Sequence, residues 1–463
     1  MKKTINIFLA SGLLLNLLAA PLSAAAQDGT ELFKASENGK PGTITIRQAV
    51  DMALAENINI KIARKNAEIY NQEVRQYWSY VYPHIKLGAN YTRALKKMET
   101  IIPALGGKIE MGTTNTASAQ AEATLLLWKG GAVAAGIRGG RYHSQSGYMQ
   151  LEAVRNQIKD SVMMVCFGII LSKALIRVQQ ENLNIAQNHL KEIELKYKQG
   201  MASDLDVLNQ KVKISNSEPP FIQAKNAYEI GLLTLRRMLN KDPQEPMELS
   251  WQQSSIMVMM QRQAPELENL YSIAIENRPD LAAARLNTKL AAEFVKIARA
   301  DHFGEITAFA NTTYNGGSDA VLIPVSDYNS SYGATAGLRL SIPLFEGWRV
   351  TSIVKQRKLA YEQTALIEQD TERNVKIEVK QAWLNLNEAN QRITATKGTI
   401  EQARTNLERT TLRYRNGLAS RLDLDDSAFL LHQAELQFVQ AVHDALTALS
   451  NLNYAVGKEV ITK

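Results

Sequence analysis

The side chains able to do chemistry in this chain are few and scattered. Cys166 is the single cysteine among 463 residues, which excludes an internal disulfide and any cysteine-built zinc or iron–sulfur site. The histidines stand at 84, 143, 189, 302, 432 and 443, with no H-E-x-x-H spacing and no close pair, arguing against a catalytic metal centre. No His, Cys or carboxylate constellation recurs at catalytic spacing, so the chain reads as a non-enzyme with neither cofactor nor metal. One charged pair stands apart. Asp423 and Asp426 are three residues apart and share a helix face. Gathered around one axis by several copies of the chain, such carboxylates would repel one another and attract cations. The ordinary alternative is that aspartates in a first helical turn cap it. Lys and Arg exceed Asp and Glu by 53 − 46 = 7 with no dense basic block, so nucleic acid is not indicated.

Those aspartates follow a motif that occurs twice. YKQGMASDLDVL at 197–208 returns as YRNGLASRLDLD at 414–425, an offset of 414 − 197 = 217. The same offset carries LLLWKGG (125–131) onto IPLFEGW (342–348), and upstream ALAENINI (53–60) meets AIENRPDL (274–281) after a small drift. The chain therefore divides into repeats at 27–240 and 264–458, a linker at 241–263 and a tail at 459–463. Residues 1–26, with Lys2 and Lys3, an apolar stretch from Ile7 to Leu18 and small residues Ala24 to Ala26, read as a secretory signal peptide.

Between the landmarks each repeat carries one long helix, 131–198 and 348–415. Val379, Trp383, Leu386, Ile393, Ile400, Ala403 and Leu407 form a heptad-like stripe, reproduced 217 residues earlier by Val162, Cys166, Ile169, Ile176, Leu183, Ala186 and Leu190. Cys166 thus belongs to a packing face and is not expected to be a reactive thiol. A helix of this size, ~100 Å at 1.5 Å per residue, needs a partner along its whole length. The return helices 203–238 and 420–456 supply half of one. The opening helices 46–81 and 267–300 supply the rest, stacked end to end with them. Pro219 and Pro220 predict a break in the first return helix.

Between opening and long helices the period changes from 3.6 to 2, giving strands at 84–94, 117–127, 306–314 and 332–345, each with one apolar face and one rich in Gly, Thr and Ser. These lengths suit a tilted crossing of a bilayer. Lipid permits no open sheet edge, and closed membrane barrels begin at about eight strands, so further chains must complete the barrel. Two chains give eight strands and three give twelve; the trimer is preferred. The loops 95–116 and 315–330 lie at the end of the strands away from the helices. No stretch approaches the apolar length of a membrane helix; the best, Val162 to Leu171, reads as buried core.

In its duplicated repeat, its P-L-F-E-G junction at 343–347 and its Y-x-x-G-x-x-S tips, the chain resembles the TolC-like outer membrane efflux family over nearly all the mature sequence. The resemblance implies a homotrimer in the outer membrane, with a twelve-stranded barrel and a helical tunnel extending far into the periplasm. It implies an exit duct that passively conducts substrates from an inner membrane efflux pump or ABC-type transporter through a periplasmic adaptor (membrane fusion) protein. Small-molecule efflux is the expected cargo class, with type I protein secretion or metal efflux as alternatives and a periplasmic coiled-coil adaptor as the remote one. In this family carboxylates past the second tip line the closed periplasmic end, which places the gate at Asp423 and Asp426; their counterparts in the first repeat are Asp206 and Asn209. The adaptor-contact tips fall on Gly200, Met201 and Ala202, and on Gly417, Leu418 and Ala419. Tyr197 and Tyr414 are expected to pack the last helical turns.

Overall fold

The computed structural model describes residues 30–33, 42–102, 107–253, 256, 265–320 and 329–460. The expected signal peptide lies outside them, as do 321–328 of the second strand-connecting loop. The helices are α1 (Ile46–Glu56), α2 (Ile58–Ser79), α3 (Ala132–Lys198), α4 (Asp204–Met238), α5 (Leu267–Asn277), α6 (Pro279–Ala300), α7 (Arg349–Arg415) and α8 (Arg421–Val456). The strands are β1 (Thr43–Thr45), β2 (His84–Arg93), β3 (Met98–Ile102), β4 (Gly107–Met111), β5 (Asn115–Trp128), β6 (Glu248–Ser250), β7 (Glu305–Ser318) and β8 (Asn329–Ser341).

α3 and α7 are each 67 residues long. α3 is clothed on one side by α2 and α4, from its own repeat, and on the other by α6 and α8 from the second. Each opening segment is two helices where one is expected. In the first repeat Asn57 adopts an extended backbone (ψ 131°) and caps α2, its side chain accepting from the Asn59 N–H at 2.9 Å. In the second, Pro279 at the first position of α6 disfavours helical geometry at the preceding Arg278, which is extended at ψ 114°. These two residues are also the joints of the stacked half-helices. Asn57 Nδ2 donates to the Met238 carbonyl at the end of α4 (2.8 Å), and Arg278 Nη1 donates to the Ala455 carbonyl near the end of α8 (3.2 Å). Arg278 is buried and paired with Asp280 at 2.6 Å and Glu378 at 2.8 Å. Below the joints the apolar run 162–171 is core, with Val162, Cys166, Phe167, Ile169 and Ile170 all buried. Burial pushes the Cys166 thiol up to about 12. Beside them β1 and β6 pair in parallel, and Trp251 donates its indole N–H to the Phe33 carbonyl at 3.2 Å.

The expected break at Pro219–Pro220 is absent: α4 runs unbroken through both. Proline's fixed φ suits a helix, so the loss is confined to two missing N–H groups facing the Ser215 and Asn216 carbonyls. Both prolines sit on the exposed face, while Ala224, Tyr228, Leu232 and Leu235 stay buried on the other and hold the helix in line.

The upper half of α3 is studded with small residues that act as sockets. A Cβ at Gly136 or Gly140 would lie within 3 Å of the Tyr77 ring, at 2.8 and 2.9 Å, and one at Gly147 would lie 2.5 Å from Tyr70. Tyr70 also stacks on His143 (4.2 Å), whose Nδ1 meets Glu73 at 2.7 Å. Gly139 faces the other way, toward Leu290 of α6 at 3.3 Å.

At the far end from the tips four strands pair antiparallel in the order β2-β5-β7-β8. Their register aligns the apolar residues in rows, Ile85–Ala123–Ala310–Ala336 and Leu125–Ala308–Leu338. The neighbouring row, Lys86–Glu122–Asn311–Thr335, belongs to the polar face. A bulge between Leu126 and Trp128 brings Trp128 into line with Ile306 and Leu340 on the apolar face. β8 ends at Ser341, short of the expected 345, because Pro343 has no N–H for the ladder. The segment 95–116, expected as a loop, contains the β3–β4 hairpin. Its base is clasped by Asp319, which accepts from the Thr114 N–H (2.7 Å) and hydroxyl (2.8 Å) and pairs with Lys97 (2.8 Å).

The sockets make a directional prediction. Gly147→Leu should destabilise the assembled protein by about 1–3 kcal/mol through overpacking, lowering its thermal midpoint in detergent, and Tyr70→Ala in the same chain should recover part of the loss. An unaltered midpoint for the single variant would remove the socket role.

Candidate functional site at the hairpin tips

Each long helix ends in the same turn. Gly200 and Gly417 take left-handed φ of 75° and 73°, which is open to glycine without strain. The next residue then folds back: the Met201 N–H reaches the Lys196 carbonyl and the Leu418 N–H the Arg413 carbonyl, both at 2.8 Å. Three residues on, Ser203 and Ser420 cap the return helices. Asp206 Oδ2 accepts from the Ser203 N–H at 2.9 Å and hydroxyl at 2.7 Å; Asp423 Oδ2 accepts from the Ser420 N–H and hydroxyl, both at 2.8 Å. Backbone and hydroxyl bonds from Ser420 hold the Asp423 carboxyl below its ordinary range, and Ser203 does the same for Asp206. Asp423 therefore fills the capping role that is the ordinary reading of such a residue, and Asp206 fills it identically. Asp426 lies one turn further along α8, exposed like Asp423. At the very tips Met201 and Leu418 are 67% and 68% exposed, beside half-covered Ala202 and Ala419.

The two tyrosines part company. Tyr197 is half-exposed, whereas the Lys196 ammonium sits 5.6 Å above the Tyr414 ring and 3.3 Å from its hydroxyl. A second link joins the hairpins one turn into the return helices, where Lys213 of α4 pairs with Asp425 of α8 at 2.7 Å and Arg421 meets the same carboxylate at 3.3 Å. Sequence reasoning passed over Asp425. Its counterpart in the first repeat is Leu208, and Lys213 corresponds to Leu430, so the duplication gives no signal for the pair.

Further up, Glu435 of α8 is buried between α3 and α7. Burial pushes its carboxyl up to about 7, the nearby Glu181 of α3 adds to this, and Arg404 of α7, at 4.0 Å, opposes it. Burial alone lowers His432, and it is the first cause at His189.

A sheet of bilayer-length strands set on duplicated coiled-coil hairpins, with polar turns at the opposite end, defines a membrane-anchored duct component. The family model for "Outer membrane efflux protein" matches residues 49–241 and 270–458, and the chain belongs to that family. Outer membrane protein TolC of Salmonella enteritidis is 22% identical over 427 residues, 89% of this chain and 82% of that protein. The cobalt-zinc-cadmium resistance protein CzcC of Cupriavidus metallidurans is 20% identical over 98% of this chain and 100% of its own length. The alkaline protease secretion protein AprF of Pseudomonas aeruginosa is 23% identical over 68% of this chain and 63% of its own. Among solved structures, VceC of Vibrio cholerae shares the fold at a TM-score of 0.75 and 17% identity, covering 89% of this chain and 96% of that one. The CmeC outer membrane channel of Campylobacter jejuni does so at 0.75 and 15%, covering 90% and 87%. The protein is an outer membrane efflux channel protein whose helices extend into the periplasm.

Glu435 sets a pH dependence. Its folded pKa lies above the ~4.3 of an unfolded glutamate, so the folded state holds the proton more tightly and stability falls as pH rises toward about 7. His189 and His432, held low, act oppositely but only below their unfolded value of about 6.5. Acidifying from about pH 8 to about 6.5 should raise the thermal midpoint, and Glu435→Gln should flatten that rise. An identical profile in the variant would assign it elsewhere.

Proposed function

We propose that three copies of the chain close into one duct: a shared twelve-stranded barrel above a helical tunnel. The observation that carries this reading is the unequal clothing of the two long helices. α3, flanked on both sides, buries 20 residues; α7, flanked by α6 and α8 on one side, buries 8. The bare flank of α7 exposes Leu359, Leu366, Ile367 and Ile377, and α4 exposes Leu205, Leu208, Val212 and Ile222. The α2–α4 column of the next chain would cover α7 as α6–α8 covers α3. The same operation joins the outer edge of β8 to that of a neighbouring β2, removing both open edges from lipid.

In such a ring the exposed Asp423 and Asp426 gather as six carboxylates at the tunnel's periplasmic end, a cation-attracting constriction that repels itself. Lys213–Asp425 and Lys196–Tyr414 oppose that repulsion by holding the two hairpins of each chain together. The tips at Gly200, Met201, Ala202, Gly417, Leu418 and Ala419 present small apolar surface to a periplasmic adaptor, which connects the duct to an inner membrane transporter. The duct conducts passively, and small molecules are its cargo class.

Purified protein in planar bilayers tests the gate. Replacing Asp423 and Asp426 together by Ala should raise single-channel conductance and weaken cation preference; unchanged values for both would refute the constriction. Lys213→Ala should lengthen open dwell times without altering the fully open conductance. Substitution of Gly417 should abolish crosslinking to the adaptor while the three-chain species persists on native gels. Export is checked in cells lacking the protein, which should gain sensitivity to small toxic compounds while retaining secreted polypeptides; the reverse pattern would reassign the cargo.

A further inference from the structure

The junction between sheet and long helix differs between the repeats at one position. Gly131, before α3, has φ 82°, and its counterpart before α7, 348 − 217 = 131, is Trp348 at φ 65°. Left-handed backbone is unfavourable for a bulky residue, and where such strain persists the side chain must serve something outside the local fold. Nothing in the chain covers this side chain: Trp348 is 73% exposed. It stands edge-on to Phe345 at 6.5 Å, and Phe345 and Leu344 are 78% and 94% exposed.

The surroundings identify the occupant. Leu338 and Leu340 end the apolar face of β8, and the exposed Ile342, Leu344, Phe345 and Trp348 continue it beyond the sheet. Exposed Trp78, Tyr82, Trp128 and Phe303 lie at the other helix–strand junctions of the chain. Charged pairs stand at the same level, Lys129 with Glu305 (3.5 Å) and Arg349 with Glu346. Tryptophan and tyrosine rings above a charged collar fit the boundary between acyl chains and headgroups, where one end of the ring is dry and the other wet. We infer that the strap 342–348 is a lipid anchor, with the strained Trp348 seated at the headgroup–acyl boundary of the leaflet nearest the tunnel. The strain is tolerated because the membrane binds a side chain that glycine in the first repeat lacks. This holds for a chain in the outer membrane whatever its number of partners.

The full chain with Trp348→Cys, carrying a nitroxide label and assembled in phospholipid bilayers, tests the inference. Cys166 is buried with its thiol pushed up to about 12, so it takes no label. The expected result is an oxygen collision rate several-fold above that of a water-soluble nickel chelate, with a depth at the headgroup–acyl boundary. A label swept by nickel, or one immobilised and shielded from both reagents as at a subunit contact, overturns the proposal. Trp348→Gly supplies the second measurement. Its thermal midpoint in detergent should equal or exceed that of the parent, since strain is relieved and no packing is lost; a clear fall would place Trp348 against protein.

Discussion

A helix of 67 residues has no interior of its own, and the molecule is organised around giving α3 one. No single partner of equal length is available in the chain, so α3 is matched by half-helices laid end to end, from both repeats. That constraint explains the small residues of its upper half, where Tyr77 and Tyr70 enter the positions of Gly136, Gly140 and Gly147. It also explains the buried polar joints. A stacked pair exposes the last carbonyls of one helix beside the first turn of the next, and Asn57 and Arg278 satisfy those carbonyls while starting the new helix.

At the tips, the residues that shape the turn are also those available to close a pore. Asp423 caps its helix and is fully exposed, so its charge stays on the surface whichever partner it meets. The links between hairpins are made by different residues, Lys196, Tyr414, Lys213 and Asp425, none of which caps a helix. Local folding and association of the hairpins thus rest on separate side chains, and each can change without undoing the other.

How much of this was legible beforehand depends on the range over which each signal acts. The tip turns and the strand alternation are local patterns, and they carried the architecture. The break at Asn57 was missed because its cap is a side-chain bond inside an otherwise continuous helical pattern; Pro279 was a readable stop and was passed over. Pro219 and Pro220 misled in the opposite sense, because packing of Ala224, Tyr228 and Leu232 on α3 outweighs two lost hydrogen bonds. The Lys213–Asp425 pair depends on the lateral register of two hairpins, which no period in a single strand of text records. Trp348 was visible as a departure from glycine, and only its dihedral gave that departure meaning.

The two joints are built to different strengths. At Asn57 one neutral side-chain bond ties the end of α4 to α2; at Arg278 a buried guanidinium ties the end of α8 to α6 and draws in Asp280 and Glu378 as well. Charge-assisted, multiply bonded contacts resist bending more than a single neutral one. Under a mechanical load passed up from the tips, the duct is therefore a column with one stiff and one compliant splice per chain. Flexure concentrates at the Asn57 level, and the second repeat acts as the strut.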